Sequence, residues 1–285
     1  MGALGRRARS AARAVSEAFD QWQELAPRWE RGRELLWDST RAVSEWLVDR
    51  LDPKPCQTIL DLAAGTGETG FLAAARLGEA GRLISSDLSP NMVEAAQRVA
   101  GLFGVTNGEF RVLDAERLDL PDASVDGVIS RFGYILKGDP PPALREIRRV
   151  LRDGGRLAFA VWAERAQNRW MTVPAAVMME RGHLAPPTDE QTRLSEKRNA
   201  LTIRRLLDAV GFGETEVEEM PVGYRFANAE ELWFFVSELR GPIALALSEL
   251  DDEERRAVRE EIERRADHSG AGFELTGVSL NVVTA

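Results

Sequence analysis

Beyond Pro55 the chain alternates between short apolar runs and longer amphipathic stretches, and this alternation admits few folds. Runs at Thr58–Leu62, Arg82–Ser86, Glu109–Leu113, Val125–Ser130 and Leu157–Val161 read as strands. Helical patterns at Thr69–Leu77, Pro90–Phe103 and Pro142–Leu151 lie between them. Strands that alternate with helices form βαβ units, and right-handed crossovers then place helices on both faces of a parallel sheet. The expectation is an α/β, doubly wound fold. Further along, Thr202–Val210 reads as a helix, Glu214–Met220 as a strand, Asp251–Ala266 as a charged helix and Val278–Thr284 as a terminal strand. Ala163–Ala200, with Pro174, Pro186 and Pro187, reads as an irregular insertion. Before the alternation, Val15 to Leu51 is helical in pattern and interrupted at Pro27. A second helix there runs from about Ser39 to Asp52, buries Val43, Trp46, Leu47 and Leu51, and stops at Asp52-Pro53-Lys54-Pro55.

The first strand-to-helix junction carries the strongest chemical signal: Asp61-Leu62-Ala63-Ala64-Gly65-Thr66-Gly67-Glu68-Thr69-Gly70. Glycines at such a junction let the backbone turn tightly and approach a ligand closely. Gly65, Gly67 and Gly70 fit the G-x-G-x-x-G spacing, and Asp87 ends the second strand, where an acid accepts hydrogen bonds from ribose hydroxyls. Together these features point to an adenosine-containing cofactor. A pyrophosphate needs a helix N-terminus left free for negative charge, whereas Glu68 occupies the first turn and Asp61 precedes the glycines. Asp114 and Glu116 follow the third strand, where an acid and a backbone N–H can read an adenine edge. Acids on three successive strand ends suit a ligand with an ammonium and a sulfonium better than NAD.

Composition narrows partners more than it selects an activity. The formal charge of −9 gives no global attraction for nucleic acid or anionic lipid. One cysteine, Cys56, excludes an intrachain disulfide and a cysteine-based zinc site; His183 and His268 are the only histidines, and no metal is expected. The N-terminal sixteen residues, rich in Ala and Arg, read as a solvated arm leading into a helix.

The blocks ILDLAAGTGETG, LISSDLSPNMVEAAQ, RVLDAERLDLPDASVDGVIS and ALREIRRVLRDGGRLAF resemble class I S-adenosylmethionine-dependent methyltransferases, and more narrowly the UbiE/COQ5-like small-molecule group. The resemblance covers about residues 57–162. It implies a Rossmann-like seven-stranded sheet of order 3-2-1-4-5-7-6, its last strand antiparallel, with an added helical cap. It also implies S-adenosyl-L-methionine as cofactor, a small apolar or aromatic acceptor, and a cytoplasmic enzyme with no nucleic-acid or membrane partner. Gly65 and Gly67 would then lie along the methionine part, Asp87 on the ribose, Leu88 on the adenine face, and Asp114 with Ala115 at the adenine edge; Asp61 and Ala63 are assigned to the same cofactor site. Ala63-Ala64 replaces the family's commoner Gly-Cys, a small-for-small change. Arg131-Phe132-Gly133-Tyr134 lacks the His-His pair of many relatives.

Outside the glycine loop, Arg131 is either a ligand contact or a structural partner for a carboxylate. Trp37 or Trp29 could roof the cofactor as part of an N-terminal lid, and both Trp37 and Arg131 are assigned to its site. His183 is the better histidine for a general base, since it lies in the insertion that could cover a substrate. His268 reads as part of a surface turn. The expected organisation is one elaborated domain: residues 1–54 an N-terminal helical arm and lid, 55–162 the cofactor-binding core, 163–200 a cap insertion, 201–222 core, 223–268 a helical insertion, and 269–285 the core's terminal strand. An NAD-dependent oxidoreductase on a similar core is the alternative enzyme. An inactive cofactor-binding scaffold is the alternative of another class.

Overall fold

The computed structural model describes residues 23–133, 135–136, 141–188, 192, 198–239 and 241–285. The Arg-rich arm, Val15, Phe19, Trp22 and Tyr134 lie outside them. Parallel strands β1 (Thr58–Leu62), β2 (Arg82–Asp87), β3 (Gly108–Val112), β4 (Val125–Arg131) and β5 (Leu151–Trp162) form most of one sheet. β6 (Thr215–Phe226), β7 (Asp267–Ser269) and β8 (Gly272–Thr284) complete it, in the order β3-β2-β1-β4-β5-β8-β6 with β7 beside β8. β8 runs antiparallel between β5 and β6, as the terminal strand was expected to do. The short β7, which contains His268, makes the sheet eight-stranded rather than seven-stranded.

Helices cover both faces. On one lie α2 (Arg33–Leu51), α3 (Glu68–Leu77) and α4 (Pro90–Phe103), with Val43, Leu47, Phe71, Leu77 and Val99 buried in a shared core. On the other lie α5 (Pro142–Val150) and a helix at Ala200–Asp208, here α7, which bury Leu144, Ile147, Ile203 and Leu207. The strands between are apolar on both sides: Ile59, Leu60, Ile84, Val128 and Ile129 are all buried, as a sheet covered twice requires. No helix among the described residues is long and apolar enough to cross a membrane.

Three expectations change. The break in the N-terminal helices is at Gly32, not Pro27: α1 (residues 23–31) continues through Pro27. Gly32 instead meets α8 (Ala229–Leu239), where an added Cβ would lie 2.6 Å from Leu239. The 163–200 segment is not irregular throughout. It contains α6 (Arg169–Glu180), whose buried Trp170, Val173, Val177 and Met178 outweigh the helix-breaking tendency of Pro174. Finally, β6 does not end near Met220 but continues to Phe226, paired only with β8, so Pro221 sits on an edge strand where it is tolerated.

That last change shapes the site. β5 ends at Trp162 opposite Ser279, while β6 and β8 remain paired as far as Phe226 and Phe273. The pair therefore rises as a two-stranded ribbon above the carboxyl edge of the sheet, with α8, α9 (Pro242–Ser248) and α10 (Asp252–Arg265) filling the chain between its strands.

The turn after β1 is strained. Ala63 adopts φ 58°, a left-handed conformation that costs an L-residue with a Cβ, so alanine there is not a neutral exchange for glycine. Ala63→Gly is expected to stabilise the fold by about 0.5–1 kcal/mol, net of glycine's greater unfolded-state entropy. Chemical denaturation of both proteins checks this; an unchanged or lower midpoint would contradict it.

Candidate functional site

The carboxyl edge of β1, β2 and β4 gathers the charged residues. Asp61, on β1, is fully buried, and its Oδ2 accepts the Gly70 N–H at 2.8 Å. The contact is close because Gly70 has no side chain: a Cβ there would stand 2.5 Å from Oδ2. Asp61 Oδ1 is buried with no partner. Gly67, at φ 93°, starts α3 with no side-chain cap, and a Cβ there would meet the Phe71 ring at 2.3 Å. Glu68 opens the helix, also buried; its Oε2 accepts the Thr66 hydroxyl at 2.7 Å, and its Oε1 likewise has no partner.

A buried carboxylate is costly to ionise without a compensating charge or donors. Burial pushes the Asp61 carboxyl up to about 7, against the lowering effects of the Gly70 N–H and the Arg131 charge. Arg131, at the end of β4, donates to Thr40 Oγ1 of α2 and lies 5.9 Å from the centre of the Trp37 ring. Thr40 passes the contact on by donating to Leu36 O at 2.6 Å. The structure thus brings Asp61, Arg131 and Trp37 together. Glu68 and Thr40, absent from the expected site, join them. Glu68 was legible as a first-turn acid, but its burial was not; Thr40 is distant in sequence and carries no motif.

Asp87, at the end of β2, faces the same loop. Its Oδ2 accepts the Gly65 N–H at 3.1 Å and its Oδ1 the Ser89 N–H at 3.0 Å. Burial raises its pKa, against the lowering effect of these backbone donors. Ser89, not Asp87, caps α4 by accepting from Met92 N. From α1, Gln23 Oε1 accepts from Ser89 Oγ at 2.5 Å and from Asn91 N at 3.0 Å, which docks the N-terminal helix beside the loop. Leu88 and Ala115 are half-buried. Asp114 is exposed, and its Oδ1 accepts the Glu116 N–H at 2.9 Å, closing its own turn.

His183 stands elsewhere, on the turn after α6. Its Nε2 is 2.7 Å from Glu254 Oε1, and Arg181 grips the same carboxylate at 2.6 and 2.7 Å. These two partners hold the Glu254 carboxyl down at about 2. The triad ties α6 to α10, and the histidine is not brought to the glycine loop. His268 is exposed and tilts against Phe273 at 5.3 Å. Trp29 is half-buried against the core; Trp46 and Trp170 likewise pack added elements onto the sheet, Trp46 with a bond to Glu218 at 2.9 Å. Among the described residues, no group of three or more His, Cys, Asp or Glu could hold a metal ion.

The acidic glycine loop and the acid that closes β2 both lie in the part of the chain that resembles known proteins. Residues 59–155 match the methyltransferase domain family. This segment of the chain is therefore similar to methyltransferase domains. An aklanonic acid methyltransferase, DauC, of Streptomyces sp. strain C5 is 33% identical over 145 residues, covering 51% of this chain and 63% of that protein. A ubiquinone/menaquinone biosynthesis C-methyltransferase, UbiE, of Xanthomonas oryzae pv. oryzae is 33% identical over 125 residues, 44% of this chain and 49% of that one. The chain thus spans from about half to under two thirds of these relatives. The crystal structure of YcgJ from Bacillus subtilis superposes with a TM-score of 0.57 at 16% identity, covering 86% of this chain and 97% of YcgJ. That likeness extends the shared fold well beyond the matched domain.

The raised Asp61 pKa has a definite sign. A carboxyl whose folded pKa exceeds its unfolded value keeps its proton in the folded state, so stability falls as pH rises from about 4 to about 7. Asp61→Asn retains an acceptor for Gly70 N and removes the ionisation. It is expected to be more stable than the wild type by on the order of 1–3 kcal/mol at pH 8, with a clearly smaller gain at pH 5. Parallel pH-dependent unfolding curves for the two proteins would contradict the assignment.

Proposed function

We propose that this protein transfers a methyl group from S-adenosyl-L-methionine to a small, apolar or aromatic acceptor. The observation that carries the reading is the pair of buried, unpartnered carboxylate oxygens, Asp61 Oδ1 and Glu68 Oε1, beside the glycine loop. Buried acceptors without donors are costly and call for a ligand with positive charge and N–H groups. The ammonium of the cofactor's methionine part has both. Asp61 and Glu68 would receive it, while Ala63, Gly65 and Gly67 line the methionine part. A Cβ at Gly65 would find nothing within 4 Å, so that side of the loop is open. Asp87, oriented by two backbone N–H groups, has lone pairs left for the ribose hydroxyls. Leu88 packs on the adenine face, and Asp114 with Ala115 reads its edge.

The same two acids argue against NAD, because a pyrophosphate at the start of α3 would meet Glu68 and Asp61 at close range. When bound, the cofactor supplies an activated methyl group on a sulfonium. The chain's task is then to hold the acceptor in line, close to that group and away from water. We assign His183 to the α6–α10 contact and not to proton removal, since its ring is committed to Glu254. An acidic phenol or enol needs no protein base. The acceptor would enter between α2 and the β6–β8 ribbon. There a cleft of about 570 Å³ is lined by Arg31, Leu35, Asp38, Gly223, Arg225 and Phe234, among others.

Calorimetric titration with S-adenosylhomocysteine and with NADH tests the cofactor. Saturable binding of the first alone is expected, and binding of NADH alone would overturn the reading. Asp87→Ala should weaken S-adenosylhomocysteine at least about tenfold, equivalent to about 1.5–3 kcal/mol for charge-assisted bonds. Transfer of labelled methyl to a panel of phenols, quinols and polyketides tests the reaction. Tight cofactor binding with no transfer to any member would favour an inactive scaffold instead.

A further inference from the structure

Arg131 differs from the arginines of the surface. Many of those find acids: Arg98 holds Glu30 through two nitrogens at 3.0 and 2.8 Å, and Arg149 pairs with Glu146 and Asp122 at 2.7 Å each. Arg131 is deep enough that burial pulls its pKa down, with Glu68, Tyr224 and Asp61 acting the other way. Yet among the described residues its side-chain hydrogen bond goes to a hydroxyl, that of Thr40, and not to a carboxylate. A guanidinium carries five donors in a rigid fork, and the bond to Thr40 uses one. The remaining donors are not sealed in. The side chain is only half-buried, and the covered, unpartnered atoms of this neighbourhood are the acceptors Asp61 Oδ1 and Glu68 Oε1. The guanidinium is a cation inside the protein with donors to spare.

The next residue supplies an aromatic wall. Phe132 has φ 63°, a left-handed conformation that is costly for a bulky side chain and that clusters at functional sites. Its N–H donates to Ala160 O at 2.8 Å, and its ring stacks on Trp162, centres 4.0 Å apart and planes 5° from parallel. The aromatic series continues through Trp170 and Tyr224 to Phe235, at centre distances of 4.6, 5.6 and 4.7 Å. Thus the carboxyl ends of β4 and β5 carry a stacked aromatic pair, and Phe132 follows Arg131 directly in the chain. The 570 Å³ cleft borders the same turn of α2 that carries Trp37 and Thr40.

We propose that Arg131 binds the anionic oxygen of the acceptor, a planar aromatic or conjugated molecule whose ring lies against the Phe132–Trp162 pair. This moves Arg131 and Trp37 from the cofactor to the acceptor side of the site, and it rests on the methyltransferase reading above. A guanidinium favours the ionised form of a phenol, enol or carboxylic acid, so the acceptor arrives without needing a protein base. Arginine suits the task better than lysine because its fork is planar and its face stacks on Trp37.

The test uses the full chain saturated with S-adenosylhomocysteine and two probes, 1-hydroxy-2-naphthoate and its neutral methyl ester, followed by calorimetry. The wild type should bind the acid at least tenfold more tightly than the ester. Arg131→Gln should abolish that preference by weakening the acid, with ester and S-adenosylhomocysteine affinities changed less than threefold. Arg131→Lys, which keeps the charge without the fork, should retain part of the preference, and it serves if the Gln variant does not fold. Wild type that binds S-adenosylhomocysteine but shows no preference for the acid overturns this proposal alone. So does an Arg131→Gln protein that keeps the preference or loses S-adenosylhomocysteine in equal measure. Failure of the wild type to bind S-adenosylhomocysteine overturns the cofactor reading and this proposal with it.

Discussion

The bond between Asp61 and the Gly70 N–H organises much of what surrounds it. It draws the first turn of α3 onto the end of β1, so close that the helix tolerates only glycine there. It buries the carboxylate, and burial gives the group its raised pKa. It also brings Glu68 inside with it, since Glu68 occupies the same turn. Two acids in one buried corner then require compensation, and Arg131 supplies part of it from the neighbouring strand. What the site binds follows from the rest: uncompensated acceptors remain on Asp61 and Glu68, and unused donors remain on Arg131.

This corner also holds two of the chain's departures from low-energy local structure, others being at Asp52, Cys56 and Ala123. Ala63 and Phe132 both hold left-handed backbone, one after β1 and the other after β4. They belong to adjacent strands, and a Cβ added at Gly133 would stand 3.0 Å from that of Ala63. Backbone strain of this kind persists only where surrounding contacts over-determine it. Here those contacts are the Phe132 N–H to Ala160 and the stack on Trp162. Away from the corner, on β2, β3 and their crossovers, the elements obey ordinary propensities.

Those ordinary regions are where sequence reading served well. The alternation past Pro55 carried the succession of strands and helices, the family resemblance carried the order of strands in the sheet, the glycine spacing located the loop, and Pro90 marked the start of α4. The failures have physical causes. Pro27 and Pro174 were read as breakers because propensity was weighed without the packing of Leu25, Ala26, Val173 and Val177, all of which are buried. The length of β6 was underestimated because Pro221 and Gly223 look like a stop, yet an edge strand needs fewer of its backbone donors. Glu68 and Thr40 were missed as site residues because burial of a polar side chain depends on what folds over it. For Thr40 that is α2 crossing the end of β4, a contact between residues 91 apart in sequence.

The sign of the site's charge then bears on the order in which ligands enter. The anionic acceptor proposed for Arg131 would approach a corner that also holds Asp61 and Glu68, and whatever negative charge those acids carry opposes the guanidinium. An ammonium lodged against those acids removes the opposition and leaves Arg131 to act alone. Cofactor and anionic acceptor would then bind with positive coupling, each strengthening the other by the same factor. The coupling needs no moving lid and no base. It follows from a cation and two anions held in one low-dielectric corner, where each ligand supplies the charge that the other's site lacks.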